Sequence, residues 1–541
     1  MSAYHHYDVA IIGTGAGGGT LAYTLAPSGK RILVLERGGW LPREKENWDP
    51  RAVFVHERYH TTEMWYDNQG RPFRPGANYY VGGNTKVYGA VLLRMREQDF
   101  GAVHHYDGVS PAWPLSYHDI APYYTRAEQL YGAHGERGID PTEPPSEGPY
   151  PFPAVKHEPR MQEVFDGLQQ QGLRPFPLPV GVRLDEEYRH WSQCIKCDTF
   201  DGFPCLVDGK YDSDTTCIRP ALQHRNVTLL TNALVTRLVT DASGRQVTTI
   251  QAMVDGQMEQ FSADIVVVAC GAINSAALLL RSANDQHPNG LANSSDQVGR
   301  NYMCHNNSAI LAVSRRPNPS KFTKTIGIND WYFSANGPEG HGDNGFDYPL
   351  GHIQTLGKSL PEQLEGDAPS LRIPGVGLTL DFMAKHSIDW WLTTEDLPDP
   401  NNRVSLTSAG DIMLSYTPNN TEPHQRLLAK LKHAMEHVEG GMTHFIPQDV
   451  YLSKRIPLAG VAHQCGTVRF GADPRTSVLD VNCKAHDLDN LYVVDSSFFP
   501  SSSSSNPSLT VIANALRVGD HLLERLGVST LSQMSEPVLV S

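Results

Sequence analysis

The sequence predicts an α/β chain, α+β overall, in which a parallel sheet built from separated segments carries an inserted antiparallel-sheet domain. Three observations predict it. Short apolar, β-branched runs recur at the start (8–12), middle (264–269) and end (491–494) of the 541 residues, the pattern of strands buried on both faces. The first of these runs straight into a glycine-rich turn and then a second apolar strand, which is the outline of a βαβ unit. Between them lie Pro-rich and aromatic-rich stretches of different character, in a chain too long for a single core.

Taken in order, Asp8–Ile12 is a buried strand and residues 20–27 form the crossover helix. Gly29 ends that helix, and Arg31–Leu35 is the second strand. Residues 142–192 are Pro-rich and irregular, with one helix near 160–171. Residues 227–239 and 247–261 alternate around a turn at Asp241–Gly244 and read as an antiparallel pair. Asp264–Ala269 returns to the buried pattern and leads through Cys270-Gly271 into a leucine-rich helix. Residues 305–455 mix aromatic strands with Gly/Pro loops and a helix at 423–438. The last buried strand, Leu491–Val494, precedes a low-complexity loop, Ser501–Ser505, and a final helix. The implied division assigns 1–45, 75–140, 200–305 and 455–527 to the nucleotide-binding part. It assigns 46–74, 141–199 and 306–454 to the inserted domain, and 528–541 to a flexible tail.

Composition narrows the partners. With 45 Lys and Arg against 59 Asp and Glu, the formal charge is −14, which opposes a nucleic-acid or anionic-membrane surface. Arg315-Arg316 and Arg43–Lys45 are too short to make a basic footprint. No stretch approaches the roughly 20 apolar residues of a membrane span. Met1–Tyr7 is polar, without a secretory pattern, so a cytoplasmic location with reduced thiols is expected. His5 and His6 read as part of a flexible terminus.

Gly13, Gly15 and Gly18 stand in G-x-G-x-x-G spacing directly after the first strand. Small residues there let the turn close and let backbone N–H groups approach a pyrophosphate at a helix N-terminus. Glu36, ending the second strand, is placed to accept from ribose hydroxyls. Together these are the fingerprint of a Rossmann-type dinucleotide site, and by themselves they leave NAD and FAD open.

The rest of the chain resembles the glucose–methanol–choline (GMC) oxidoreductase family in a series of segments. They begin with Arg37-Gly38-Gly39 after Glu36, and continue with Gly82-Gly83-Asn84-Thr85-Lys86-Val87-Tyr88-Gly89. Further on come Gly271-Ala272-Ile273-Asn274-Ser275 with its leucine run, Asp399-Pro400-Asn401-Asn402-Arg403-Val404, and the stretch 463–518. They occur in family order over about a third of the chain. Ala276 stands where the family usually has proline, and Ala283 where it has glycine. The resemblance implies FAD, with Gly82, Gly83, Asn84, Thr85, Val87 and Tyr88 along the pyrophosphate and flavin ring. It also implies Arg37, Gly271 and Asp495 at the cofactor, and the backbone of Val235 at adenine. Some members attach FAD through a histidine at the position of Val87; valine cannot form that bond, so non-covalent FAD is expected.

Alcohol oxidation needs a base for the hydroxyl proton and a means of holding the carbon against the hydride acceptor. Among 23 histidines, His463, in His463-Gln464-Cys465-Gly466-Thr467, resembles the family's catalytic histidine. Asn506, with Pro507 next to it, occupies the partner position. Asparagine orients a substrate oxygen but is no base near neutral pH, which leaves His463 as sole general base. A helix-capping role for Asn506 is the alternative.

The expected reaction is oxidation of a secondary ring hydroxyl, C2 or C3, of a pyranose sugar or glycoside, with O2 reoxidising FAD to give H2O2. The His/Asn pair is similar to that of pyranose and cholesterol oxidases. The alternatives are a dehydrogenase passing electrons to a quinone or cytochrome, or a steroid oxidase. Trp390-Trp391, Trp331-Tyr332-Phe333 and His352 are candidates for sugar contact, against a core role. Residues 57–69 are a candidate lid. Cys194, Cys197, Cys205 and Cys217 invite an iron–sulfur or zinc reading, but their spacing matches no trusted pattern, and no metal site is expected.

Overall fold

Strand His5–Ile12 lies in the middle of a seven-stranded sheet in the computed structural model, which describes residues 5–337, 345–367, 376–438, 444–447 and 463–528. Ile32–Leu35 pairs parallel with it on one side, with Val227–Leu230 parallel beyond. On the other side runs Gln257–Val268, also parallel. The far edge of Gln257–Val268 is shared between two partners. Its C-terminal end takes Leu491–Val493 in parallel, and its N-terminal end takes the antiparallel hairpin Val247–Val254 and Ala233–Thr240. Val9, Ala10, Ile11, Ile32, Leu33, Val266, Val267 and Val268 are all fully buried, which is why these segments read as unbroken apolar runs.

Several boundaries differ from the sequence reading. The segment 227–239 is two strands, divided at Asn232 in the left-handed region (φ +53°). Its first half is parallel, beside Ile32–Leu35, and only the second joins the hairpin. Asp255 and Gly256, with φ +45° and +83°, likewise divide 247–261. Alternation alone does not show a turn that asparagine and aspartate make locally. The crossover helix is Ala16–Leu25, and Pro27 lies in the short 3-10 turn after it. Glycines 17–19 are inside the helix because neighbours press on it: a Cβ at Gly17 would stand 2.0 Å from the Val494 carbonyl oxygen. His6 is not in a free terminus; its ring bonds Ser262 Oγ (3.1 Å) and Asp264 Oδ1 (3.0 Å).

The final helix, Ser508–Arg525, packs against Ala16–Leu25 and Tyr117–Leu130. A second, six-stranded antiparallel sheet is ordered His444–Pro447, Asn306–Val313, Ser387–Thr394, His352–Thr355, Ile326–Ile328, Phe176–Pro177. Helices Pro159–Gln169 and Thr421–Val438 close a separate core over it with Met161, Leu168, Leu427 and Leu431. The candidate lid is tied down: Trp65–Asp67 pairs with Ile412–Ser415, and Trp65 is buried. Among the described residues no helix is long and apolar enough to cross a membrane. The tail beyond Val528 lies outside the described residues.

The serine run is a further correction. Ser501–Ser505 are all buried, and each is held. Trp113 Nε1 donates to Ser501 Oγ (2.8 Å), Ser502 Oγ donates to Asp396 Oδ1 (3.1 Å), and Ser503 N donates to Glu395 Oε1 (3.1 Å). Ser504 N donates to Tyr332 Oη (3.1 Å), and the hydroxyls of Ser503 and Ser505 pair at 3.1 Å. A backbone threaded through an interior needs every polar group paired, and small hydroxyl side chains supply that without bulk.

Candidate active site

The first glycine turn is a built cradle. Gly13 has φ +106°, and a Cβ on it would collide with the Ala269 carbonyl oxygen at 2.2 Å; at Gly18 a Cβ would meet the Gly13 oxygen at 2.1 Å. Gly15 is the N-cap of Ala16–Leu25 and makes no side-chain cap, the helix has no acid in its first turn, and a Cβ at Gly15 would meet nothing in the chain. The positive end of the helix therefore faces open space with orphan N–H groups, which suits an anionic pyrophosphate.

A second glycine loop lies on the first. Gly82 N donates to Thr14 Oγ1 (3.0 Å), and a Cβ on Gly83 would stand 3.1 Å from Gly15 Cα. Thr85 Oγ1 donates to the Gly82 carbonyl (2.6 Å) and accepts from Ser213 N (2.9 Å). Buried Lys86 bridges Asp212 (3.0 Å) and Asp214 (2.9 Å). Asn84 accepts from Asn78 N (3.1 Å), the carbonyl of Val87 accepts from Gly202 N (3.0 Å), and Tyr88 Oη donates to the Tyr211 carbonyl.

Glu36 is buried, accepting from Thr14 N (3.1 Å), Thr14 Oγ1 (2.6 Å) and Gly38 N (2.9 Å). Burial raises its carboxyl above the usual range against the pull of those bonds. The Arg37 guanidinium lies 3.7 Å over the Tyr79 ring and pairs with Glu63 at 3.4 Å. Ala233 N donates to the Glu36 carbonyl (2.8 Å), bringing the strand of Val235 to the same place. Asp495 ties a third segment in, accepting from Gly271 N (2.9 Å), Ser275 Oγ, Ser497 N (2.9 Å) and Ser497 Oγ.

From this cradle the chain leads directly to His463. Val494 presses on Gly17, Ser496 Oγ donates to the Gln464 carbonyl (2.6 Å), and Thr467 Oγ1 donates to the Ala272 carbonyl (2.6 Å). Around the imidazole, Asn506 Nδ2 stands 3.5 Å from His463 Nε2, and His305 Nδ1 stands 3.0 Å from His463 Nδ1. The half-buried Trp391 lies edge-on, with ring centroids 6.4 Å apart. Burial, then the neighbouring His305, Lys324 and His352, hold His463 well below the ordinary imidazole range. The ring is therefore neutral at neutral pH, with one nitrogen bare, as a proton acceptor requires. Asn506 does not cap the final helix; Pro507 occupies the N-cap position without a side-chain cap. Asn506 Oδ1 is buried with no partner among the described residues.

Sequence reasoning missed three members of this centre. His305, Glu395 and Asp396 carry no local signature, and the sheet brings them in from distant positions. Of the proposed sugar-contacting aromatics, only Trp391 adjoins His463. Trp390 and Trp331 are core residues, Tyr332 bonds Asp99 (2.9 Å), and His352 is buried with both ring nitrogens paired. Cys217 stands apart from the other cysteines, bonded to Tyr131 Oη (3.4 Å). Among the described residues no group of three His, Cys, Asp or Glu side chains is placed to hold a metal ion.

A two-loop dinucleotide cradle with a half-buried, neutral imidazole fastened to it defines an oxidoreductase site. GMC oxidoreductase family models match residues 14–307 and 398–515, and the chain belongs to the GMC oxidoreductase family, FAD enzymes acting on CH–OH donors. The 6'''-hydroxyparomomycin C oxidase of Streptomyces lividus is 29% identical over 96% of this chain and 92% of its own length. The paromamine 6'-oxidase of Streptomyces fradiae is 28% identical over 94% and 90%. The fructose dehydrogenase large subunit of Gluconobacter japonicus is 26% identical over 96% and 98%. Among solved structures, pyridoxine 4-oxidase from Mesorbium loti superposes with a TM-score of 0.64 at 18% identity, covering 96% of this chain and 99% of that one. A formate oxidase gives 0.66 at 14%, covering 97% and 99%.

Proposed function

We propose that the protein oxidises a secondary ring hydroxyl of a pyranose sugar or glycoside, at C2 or C3, to a keto-sugar. FAD is held non-covalently, and O2 is the electron acceptor, released as H2O2. One observation carries the reading: His463 Nε2 and the Asn506 amide face each other at 3.5 Å, with Asn506 Oδ1 left open. A hydroxyl entering there gives its proton to His463 Nε2 while its oxygen accepts from Asn506 Nδ2. Bound FAD supplies the acceptor for the carbon's hydride. Asparagine beside the base fixes the oxygen without competing for the proton. Trp391 offers an indole next to the base, suited to contact with a sugar ring. The names of the relatives support a polyhydroxylated substrate, and two of the three are named oxidases.

Gly13, Gly15, Gly18, Gly82, Gly83, Asn84 and Thr85 would hold the pyrophosphate and flavin. Glu36, Arg37 and Val235 would serve the adenosine end, and Gly271, Asp495 and Pro507 would frame the ring. Val87 presents no nucleophile to the flavin, which supports non-covalent binding. The cofactor-binding segments proposed are 1–45, 75–140, 200–305 and 455–527, and a cytoplasmic location goes with this reading.

A second reading is a dehydrogenase with a quinone or cytochrome acceptor, favoured by the fructose dehydrogenase relative. The 6' position in one relative's name makes an exocyclic carbon the first alternative target. Anaerobic mixing with a sugar panel, monitored near ~450 nm, separates these. A pyranose that bleaches the flavin, with equimolar peroxide on admitting air, is expected. Bleaching without peroxide would favour the dehydrogenase, and a panel that never bleaches it would remove the sugar assignment.

A further inference from the structure

We propose that His305 is a positioning residue that fixes the tautomer of His463. The proposal rests on His463 being the base, and it starts from a chain of hydrogen bonds in which each proton is assigned by its neighbour. His305 Nε2 stands 3.1 Å from the Ser502 carbonyl oxygen. A carbonyl only accepts, so His305 carries its proton on Nε2. In the neutral ring Nδ1 is then a lone pair, and it faces His463 Nδ1 at 3.0 Å. His463 must donate from Nδ1, which leaves its Nε2 unprotonated. Asn506 Nδ2, a donor, points at that atom. With both rings neutral, the three contacts taken together are consistent with only this arrangement.

Protonated His305 reverses it. With both His305 nitrogens carrying hydrogen, Nδ1–H donates to His463 Nδ1, and a neutral His463 must hold its proton on Nε2. The atom that should receive the substrate proton is then occupied, although His463 itself has gained no charge. The tautomers of the two rings are thus set together, as a unit. The groups acting on this unit from the surrounding elements are Lys324 and His352 on the His463 side and Asp396 on the His305 side.

The backbone shows that His305 is held for this task. It sits in the left-handed region, φ +64°, uncommon for a non-glycine residue and costly unless the surroundings impose it. Asp396 imposes it, accepting from Cys304 N and His305 N, both at 2.9 Å. The same Asp396 carboxylate accepts from Ser502 Oγ (3.1 Å), beside the carbonyl that reads the His305 proton. One buried acid therefore sets both the backbone that presents the ring and the segment that fixes its tautomer.

The test is direct observation of the His463 imidazole in the FAD-loaded protein by 15N-histidine NMR, with the signal assigned by its loss in His463→Asn. A protonated Nδ1 and a bare Nε2 near pH 8 are expected, and the opposite tautomer would overturn the proposal whatever the activity. Two variants complete it. His305→Asn keeps an acceptor toward His463 Nδ1 and suits the left-handed backbone, so kcat/KM should stay within about fivefold, with the His463 tautomer unchanged. His305→Ala should lose about 10- to 100-fold in kcat/KM and show a mixed His463 tautomer at unchanged flavin content. An unchanged tautomer in His305→Ala, or an altered one in His305→Asn, would overturn the proposal. A correct tautomer together with an active His463→Asn would instead remove His463 as base.

Discussion

Asn506 turns its amide nitrogen toward His463 Nε2 at 3.5 Å, and its own Oδ1 is buried with no partner among the described residues. A buried acceptor without a donor costs about 1–3 kcal/mol, and a second substrate hydroxyl, distinct from the one that gives its proton to His463, is a group that would repair it. Asn506→Ala should therefore slow anaerobic flavin reduction by about 10- to 100-fold, since ~1.4 kcal/mol is a factor of ten. Stopped-flow absorbance checks this, with flavin content as the control. A change under threefold would mean that Asn506 does not hold the substrate.

The cradle separates two kinds of glycine. A methyl at Gly18 runs into the Gly13 oxygen at 2.1 Å, whereas at Gly15 it meets no atom of the chain. Gly18→Ala should lower the melting temperature and the yield of folded protein. Gly15→Ala should fold like the parent and still lose flavin, because its methyl points where the cofactor would lie. Thermal unfolding alongside the ratio of flavin to protein absorbance distinguishes them. Full flavin occupancy in Gly15→Ala would place the pyrophosphate elsewhere.

Much of this was legible in the sequence, and the reasons are local. Gly13, Gly15 and Gly18 have spacing and a preceding strand, and His463 and Asp495 stand in segments with recognisable neighbours. The serine run was not legible, because hydroxyl residues suit a solvated loop and a buried, hydrogen-bonded segment equally well. Its partners Glu395 and Asp396 lie more than 100 residues away in sequence and arrive only through the sheet strand Ser387–Thr394. His305 escaped for the same reason: one histidine among 23, its meaning supplied by a carbonyl and a ring from the C-terminal part of the chain.

Lys86 closes the second glycine loop from beneath, buried between Asp212 and Asp214. Lys86→Met would leave buried Asp212 without its cation, while Asp214 keeps Arg219 at 3.0 Å, at a cost of about 3–5 kcal/mol. Arg126 and Asp520 pair at 2.6 Å on the surface, and Arg126→Ala should cost under about 1 kcal/mol. Urea unfolding of the two variants should show that contrast, with flavin loss in the first. Equal costs would contradict it.

Stability should fall on the acid side for a reason traceable to His352. Burial holds its pKa down to about 4 against an unfolded value of 6.5. Between those values the unfolded chain binds the extra proton, so stability rises with pH. The contribution is complete above 6.5 and is lost as pH falls toward 4, by about 3 kcal/mol. His352→Gln should flatten the slope of unfolding free energy between pH 6.5 and 4.5. Parallel slopes for the two proteins would show that this histidine is not the source.

The most direct measurement on the base is single-turnover flavin reduction in His463→Ala, made anaerobically at saturating sugar. Removing a general base should slow reduction by about 10²–10⁴-fold, with the flavin still bound because His463 belongs to no part of the cradle. A loss smaller than tenfold, at full flavin occupancy, would contradict the assignment of proton transfer to this imidazole.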